Sequence, residues 1–192
     1  MPSQAERSDA TKGALVSAAR RLFADQGFAG TSVEAILDQA GVSRGALYHH
    51  FDGKDDLFLA VFEAVEEDLT SRVVLASAGA KEPLDQLRLG FEAFLDLCLD
   101  SEVRRVVLLD GPTVLGWEAW HEIDERYAFG LIKAALDLAV ERGAIEEQPT
   151  DALAHVLLGA MMQAGFVVAK AADRAAEKKR MAATLGRLLA AL

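Results

Sequence analysis

Cysteine is almost missing from this chain of 192 residues: Cys98 stands alone. An intrachain disulfide framework is excluded, and so is any Cys-x-x-Cys metal or redox motif. A lone thiol fits a reducing cytoplasm. Proline is scarce, at four residues, and with a mean hydropathy of +0.16 this argues against a linker-rich chain. The opening stretch MPSQAERSDATKG lacks the apolar segment of a secretory signal, so none is expected. An excess of positive charge is lacking too, because the formal net charge is −10. The chain also holds no nucleophile–base set and no complete metal-ligand set. An enzyme is therefore not expected, nor is a cofactor or a metal.

What is present is the composition of a folded protein, with 52% apolar and 26% charged residues. This length suits one domain, or a small head on a larger body. Charge separates along the chain. Residues 1–54 carry six Lys and Arg against six Asp and Glu, so the whole excess of −10 falls on the remainder. An acidic body repels nucleic acid, which confines any DNA contact to the neutral head. Residues 152–169, ALAHVLLGAMMQAGFVVA, carry no formal charge and just reach the length of a membrane span. His155 and Gln163 interrupt the stretch, and a helix apolar nearly all round can instead be buried in a protein interface. The interface reading is favoured, and no membrane partner is expected.

The hydrophobic period is helical throughout, with no alternating run flanked by hairpin turns. The expected class is all-α with about nine helices. A first helix over 8–26 buries Leu15, Ala18, Ala19, Leu22 and Phe23, and Gly27 stops it. Thr31 followed by Glu34 reads as a capping box opening a short helix through Val33, Ile36, Leu37 and Ala40. Gly41 ends it, Ser43 caps a third helix over 44–51, and a fourth starts near Lys54 and runs to the mid-70s. Further helices are expected over 83–99, 103–109, 114–142 and 173–190, with the apolar one opening at Thr150.

Two short helices joined by a Gly-containing turn over 32–51 are the sequence form of a helix-turn-helix. If Leu47 and Phe51 point inward, the second helix exposes Arg44, Gly45, Tyr48 and His49. Arginine can bond guanine O6 and N7 bidentately, glycine lets the backbone approach, and Tyr48 and His49 can reach phosphate or thymine methyls. Lys54, at the start of the next helix, suits a phosphate held by an ammonium and helix N–H groups. A structural alternative stays open for Tyr48, which can pack on the first helix with its hydroxyl in water.

Residues 9–57, above all GFAGTSVEAILDQAGVSRGALYHHFDGKDDL, resemble the DNA-binding head of TetR/AcrR-type transcriptional regulators. The resemblance rests on Gly27-Phe28, Thr31, the Ala40–Ser43 turn, Gly45, Leu47-Tyr48, His50-Phe51 and Lys54. It covers about a quarter of the chain, and the body cannot be matched motif by motif. It implies a head over 1–54 and a ligand-binding, dimerising body over 55–192. It also implies that the second helix braces the duplex backbone while the third reads the major groove. DNA-contacting positions are then Ser32, Val33, Ser43, Arg44, Gly45, Tyr48, His49 and Lys54. Val33 departs from the pattern, since a hydroxyl residue often contacts phosphate there.

The body offers a candidate apolar pocket from Phe91, Phe94, Cys98, Trp117, Trp120, His121, Met162, Gln163 and Phe166, joined by Tyr127 and Met161. Core packing is the favoured reading for any one of these residues. Glu118-x-x-His121 has the spacing of a bundle metal site but no second copy, and a solvated face is the plainer reading. Gly159, Ala160, Ala164 and Gly165 would let helices approach closely in a dimer seam built with the last helix, unless they pack within one monomer. The expected function is a homodimeric repressor on a pseudo-palindromic DNA operator, released by a small, largely apolar effector. The alternative is a helical protein–protein adaptor that does not bind DNA.

Overall fold

A computed structural model describes residues 3–192. Among the described residues there are nine α-helices, one π-helical segment and no strand. The helices are α1 Gln4–Gly30, α2 Val33–Ala40, α3 Arg44–His50, α4 Lys54–Ser77, α5 Pro83–Leu97, α6 Gly111–Val114, α7 Trp117–Glu141, α8 Thr150–Lys170 and α9 Arg174–Leu189. The π-helical segment is Val103–Asp110. The all-helical expectation is met. The chain divides into two compact units. The first holds residues up to Val65 together with Ser101–Trp117, and the second holds Glu66–Asp100 with Glu118–Leu192.

In the first unit α1 buries Leu15, Ala18, Ala19, Leu22 and Phe23, the stripe read from its period. Its helical path breaks at Gly27, where φ is 75° and ψ is 170°. That break strips Phe28 of its helical N–H partner, and Asp110 Oδ2 accepts the bond instead at 2.7 Å. A second tie is bidentate: Arg20 donates to both carboxylate oxygens of Glu102, at 2.7 and 2.8 Å. These bonds are why 101–117 groups with the N-terminal helices. Phe23, Phe28 and Phe58 close the core with centroids 5.2–5.8 Å apart, Phe58 meeting each of the others edge-on.

Two local expectations are corrected. The capping box expected at Thr31 and Glu34 does not form. Ser32 caps α2, its Oγ accepting from Ala35 N at 3.1 Å. Thr31 is buried, and its hydroxyl donates to Gly27 O at 2.8 Å, a carbonyl exposed by the break in α1. The next hydroxyl along therefore takes the cap. The helix expected over 114–142 starts at Trp117 as α7, because Gly116 adopts a left-handed φ of 79°, and the break expected at 110–112 is instead the short helix α6. Ser43 caps α3 as read, accepting from Ala46 N at 3.3 Å.

In the second unit α8 packs on α9 and α5. It is long and apolar enough to cross a membrane by length and composition, and half of its apolar window is buried inside the chain. Trp120 and Phe166 stack nearby with centroids 5.6 Å apart.

Gly27 is the glycine the first unit cannot replace. A Cβ there would lie 2.7 Å from Arg105 Nη1 and 3.2 Å from Asp110 Oδ2, on a backbone with positive φ. Gly27→Ala is expected to destabilise the chain by about 1–3 kcal/mol. Chemical denaturation followed by circular dichroism checks it, and an unchanged midpoint contradicts it.

Candidate nucleic-acid interface and effector cavity

The outer surface of α3 is built on a small apolar anchor. Leu47 is fully buried and Phe51 nearly so, which turns the opposite side of α3 outward. Ser43, Arg44, Gly45, Tyr48 and His49 all lie on that exposed side. Tyr48 is 54% exposed, so packing on α1 does not claim it. His50 is half-buried between His49 and Phe51. Ser32 is exposed at the start of α2 and Val33 half-exposed beside it. Both capping serines accept a backbone N–H through oxygen, which leaves each hydroxyl hydrogen able to donate outward.

Gly45 carries a further signal. Its φ is not left-handed, and a Cβ there would meet nothing nearer than Ser43 Oγ at 3.9 Å. Nothing inside the chain requires glycine at this position.

Lys54 is turned inward rather than toward a phosphate. Its ammonium donates to Phe28 O and Thr31 O, each at 2.9 Å, and sits 4.0 Å over the Phe28 ring. Phe28 O also accepts from Thr31 N at 3.3 Å, so Lys54 adds a second donor there and ties the end of α1 to the start of α4. Arg44 is exposed and ion-paired with Glu34 across the turn between α2 and α3. The Glu34 carboxyl is held below its ordinary range by its own backbone N–H at the helix start and then by the Arg44 guanidinium.

In the second unit, facing small residues leave a cavity of about 260 Å³. Gly90 on α5 and Ala128 and Ala135 on α7 provide the room; Leu69 and Val73 of α4, Leu87, Phe91 and Phe94 of α5, Leu131 and Ile132 of α7 and Met161 of α8 supply the walls. No charged side chain lines it. Ser77 donates its hydroxyl to Val73 O at 3.0 Å or Val74 O at 3.2 Å, which leaves Thr70 and Gln86 as the uncommitted polar lining.

Of the residues expected to line a pocket, Phe91, Phe94 and Met161 do so. Cys98 is fully buried beside Gly165, and burial pushes its thiol well above the usual range, so it is no nucleophile. Trp120 and Met162 are core, while His121 and Gln163 are exposed. Phe166 stacks on Trp120, and Trp117, which belongs to the first unit, is 60% exposed. Sequence reasoning missed the aliphatic walls, and their only signal is the run of small residues opposite them. Of the four small residues read as a seam, Gly159 faces outward and Ala160 partly so. Ala164 and Gly165 are buried, with Gly165 closed over by the Phe94 ring. Among the described residues no three metal-ligating side chains gather.

Two carboxyls are buried in the same unit. Glu66 and Asp124 each keep one oxygen without a hydrogen-bond partner. Burial, reinforced by Asp124, raises Glu66 to about 8. Burial, reinforced by Glu125, raises Asp124 to about 7.

Residues 5–61 match the family model described as bacterial regulatory proteins, tetR family, and residues 84–192 match the model described as tetracyclin repressor-like, C-terminal domain. The chain is 34% identical over 155 residues to the HTH-type transcriptional regulator CymR of Pseudomonas putida, covering 79% of this chain and 76% of that one. It superposes on the crystal structure of a TetR-family transcriptional regulator from Pectobacterium atrosepticum with a TM-score of 0.87 at 30% identity, over 98% and 96% of the two chains. It shares its fold with the regulator FadR from Bacillus subtilis, solved in complex with stearoyl-CoA, at a TM-score of 0.75 and 18% identity over 92% and 96%.

The buried carboxyls set a pH dependence. Unfolding frees them to ionise near 4.5 and 3.8, whereas the folded chain keeps their protons to about 8 and about 7. The folded state binds more protons in that window, so stability falls as the pH rises through it. The denaturation midpoint is expected to be lower at about pH 8 than at about pH 5.5, and Glu66→Gln should remove most of the difference. A midpoint that climbs over this interval contradicts the assignment.

Proposed function

The chain belongs to the TetR family of bacterial regulatory proteins and is, on that footing, a DNA-binding transcriptional regulator rather than an enzyme; from there we propose that it is a homodimeric repressor, released from its operator by a small, largely apolar effector. The observation that carries the reading is the surface of α3. Arg44, Gly45, Tyr48 and His49 lie exposed on a helix anchored by Leu47, Arg44 is held by Glu34, and a Cβ at Gly45 would meet only Ser43 Oγ, at 3.9 Å.

In this reading residues 1–54 act as the DNA-binding head and residues 55–192 as the body that senses the effector and dimerises. Arg44 bonds a guanine edge, while Ser32, Ser43, Tyr48 and His49 take phosphates or base edges. Lys54 holds the α1 break in place and so supports the surface from behind. With one outward cation on α3, few phosphates are neutralised, and the salt dependence of binding is moderate. A symmetric pair of chains reads two half-sites whose centres lie about 34–36 Å apart, or a multiple of that.

The effector occupies the cavity bounded by Leu69, Phe91, Phe94 and Ile132, whose uncharged lining selects an apolar molecule. The α4 helix runs without interruption from Lys54 to Ser77, so its last turns line the cavity and its first residue is bonded in the head. A ligand that prefers the DNA-incompetent arrangement by about 1–3 kcal/mol shifts the population through that helix. The outward apolar faces of α8 and α9, which include Val156 at 66% exposure and Leu188 at 49%, meet their copies in the partner and are covered by protein rather than lipid. The protein works in the cytoplasm, where its DNA is.

A gel shift with the duplex flanking the chain's own coding region tests the DNA reading. Arg44→Ala is expected to cost about 1–3 kcal/mol of specific affinity. Equal affinity of the unaltered protein for that duplex and a scrambled one contradicts it. The dimer is tested at Gly159, where a Cβ meets nothing within 4 Å and the monomer tolerates a side chain. Gly159→Leu should sediment as a monomer, and an intact dimer moves the seam elsewhere.

A further inference from the structure

We propose that Glu34 is a positioning residue for base readout, holding the Arg44 guanidinium in the plane in which it meets a guanine edge. The proposal rests on the DNA-binding reading above and adds to it a residue that itself touches no base.

Arg44 is the first residue of α3, and its long side chain is exposed by 56%. A free arginine at such a site samples many rotamers, and fixing one of them at the moment of binding lowers affinity for every sequence alike. Here the side chain is already held. Its Nη2 donates to Glu34 Oε1, from the first turn of α2. The guanidinium is planar, so a bond at one nitrogen restricts the orientation of the whole fork. Five N–H donors are available and Glu34 takes one, which leaves enough for both O6 and N7 of guanine.

Glu34 suits the first turn of α2, where its carboxylate meets its own backbone N–H, but that role does not call for the bond to Arg44. Its side chain is 64% exposed, and so open a pair contributes little to folding. It also stands directly after Ser32 and Val33, on the face that approaches the DNA backbone, and its depressed pKa keeps it anionic. A bare carboxylate there repels phosphate. The head carries no surplus of positive charge to offset it. An anion on this surface is of use when it organises the cation beside it. The pair also spans the turn between the two helices, so it ties the base-reading arginine to the helix that sets the register on the backbone.

The test uses the full-length dimer and a pool of randomised duplexes of about 24 base pairs, long enough for two half-sites one helical turn apart. Selection with the unaltered protein defines the preferred sequence, and affinities are then measured for it and for each single base-pair substitution. Glu34→Gln is expected to reduce discrimination at the base pair read by Arg44 by about tenfold, within the range of one bidentate contact. Other positions should stay within about twofold, and affinity for unselected duplex should rise as a negative charge leaves the interface. In an Arg44→Ala background Glu34→Gln should change discrimination nowhere, because the residue it positions is gone. A uniform rise in affinity with an unchanged preference profile overturns the proposal and makes Glu34 a repulsive charge only. A selection by the unaltered protein that enriches no motif overturns the DNA-binding reading itself, and the proposal falls with it.

Discussion

The first unit depends on one break in one helix. At Gly27 the α1 backbone leaves its helical path, and the polar groups it strips must find other partners. Each does. Asp110 accepts from Phe28 N, Thr31 donates to Gly27 O, and the Lys54 ammonium bridges Phe28 O and Thr31 O. These bonds come from three separate stretches of chain, so the break fixes α1, the start of α4 and the segment 101–117 in one arrangement. The α2–α3 pair hangs on the same frame, because Thr31 immediately precedes the Ser32 cap. The direction in which α3 presents its outer face is thus set by backbone hydrogen bonding behind it.

Charge then decides what that face can do. With equal numbers of acids and bases in residues 1–54, the head cannot bind a polyanion by net attraction. In the proposed reading, recognition comes from local chemistry on α3 and the first turn of α2, and the partnership of Glu34 and Arg44 is one form of it. The second unit shows the complementary economy. Its cavity is uncharged, while burial raises its two buried acids, Glu66 to about 8 and Asp124 to about 7.

The head was more legible in the sequence than the body, for a physical reason. Gly27, Gly41 and Ser43 act through backbone geometry within a few residues, and the structure puts a left-handed φ or a cap at each. Leu47 and Phe51 obey helical period, so the outer face of α3 followed directly. Where two residues fitted one local role, the choice turned on a hydrogen bond that the residue pattern does not display. Thr31 and Ser32 are both capping hydroxyls, and only the stripped Gly27 carbonyl decides between them. Lys54 looked like a phosphate ligand because its inward partners lie 23 and 26 residues away. The π-helical turns of Val103–Asp110 have no local signature in an ordinary amphipathic run. In the body, aromatic and sulfur-bearing residues drew attention to Trp120, Met162 and Phe166. Cavity lining, however, depends on which helices face each other and where small residues meet, and Gly90, Ala128 and Ala135 come together only in the folded chain.

The central claim is that the outer face of α3 enters a major groove. Methylation interference reads it directly, because dimethyl sulfate marks guanine N7 in that groove and adenine N3 in the minor one. Binding of the dimer to its selected duplex should be blocked by N7 methylation at one guanine or more in each of two symmetric half-sites, and Arg44→Ala should lose sensitivity at one of them. Interference confined to adenine N3, or none at all on a duplex the protein binds, would contradict the account.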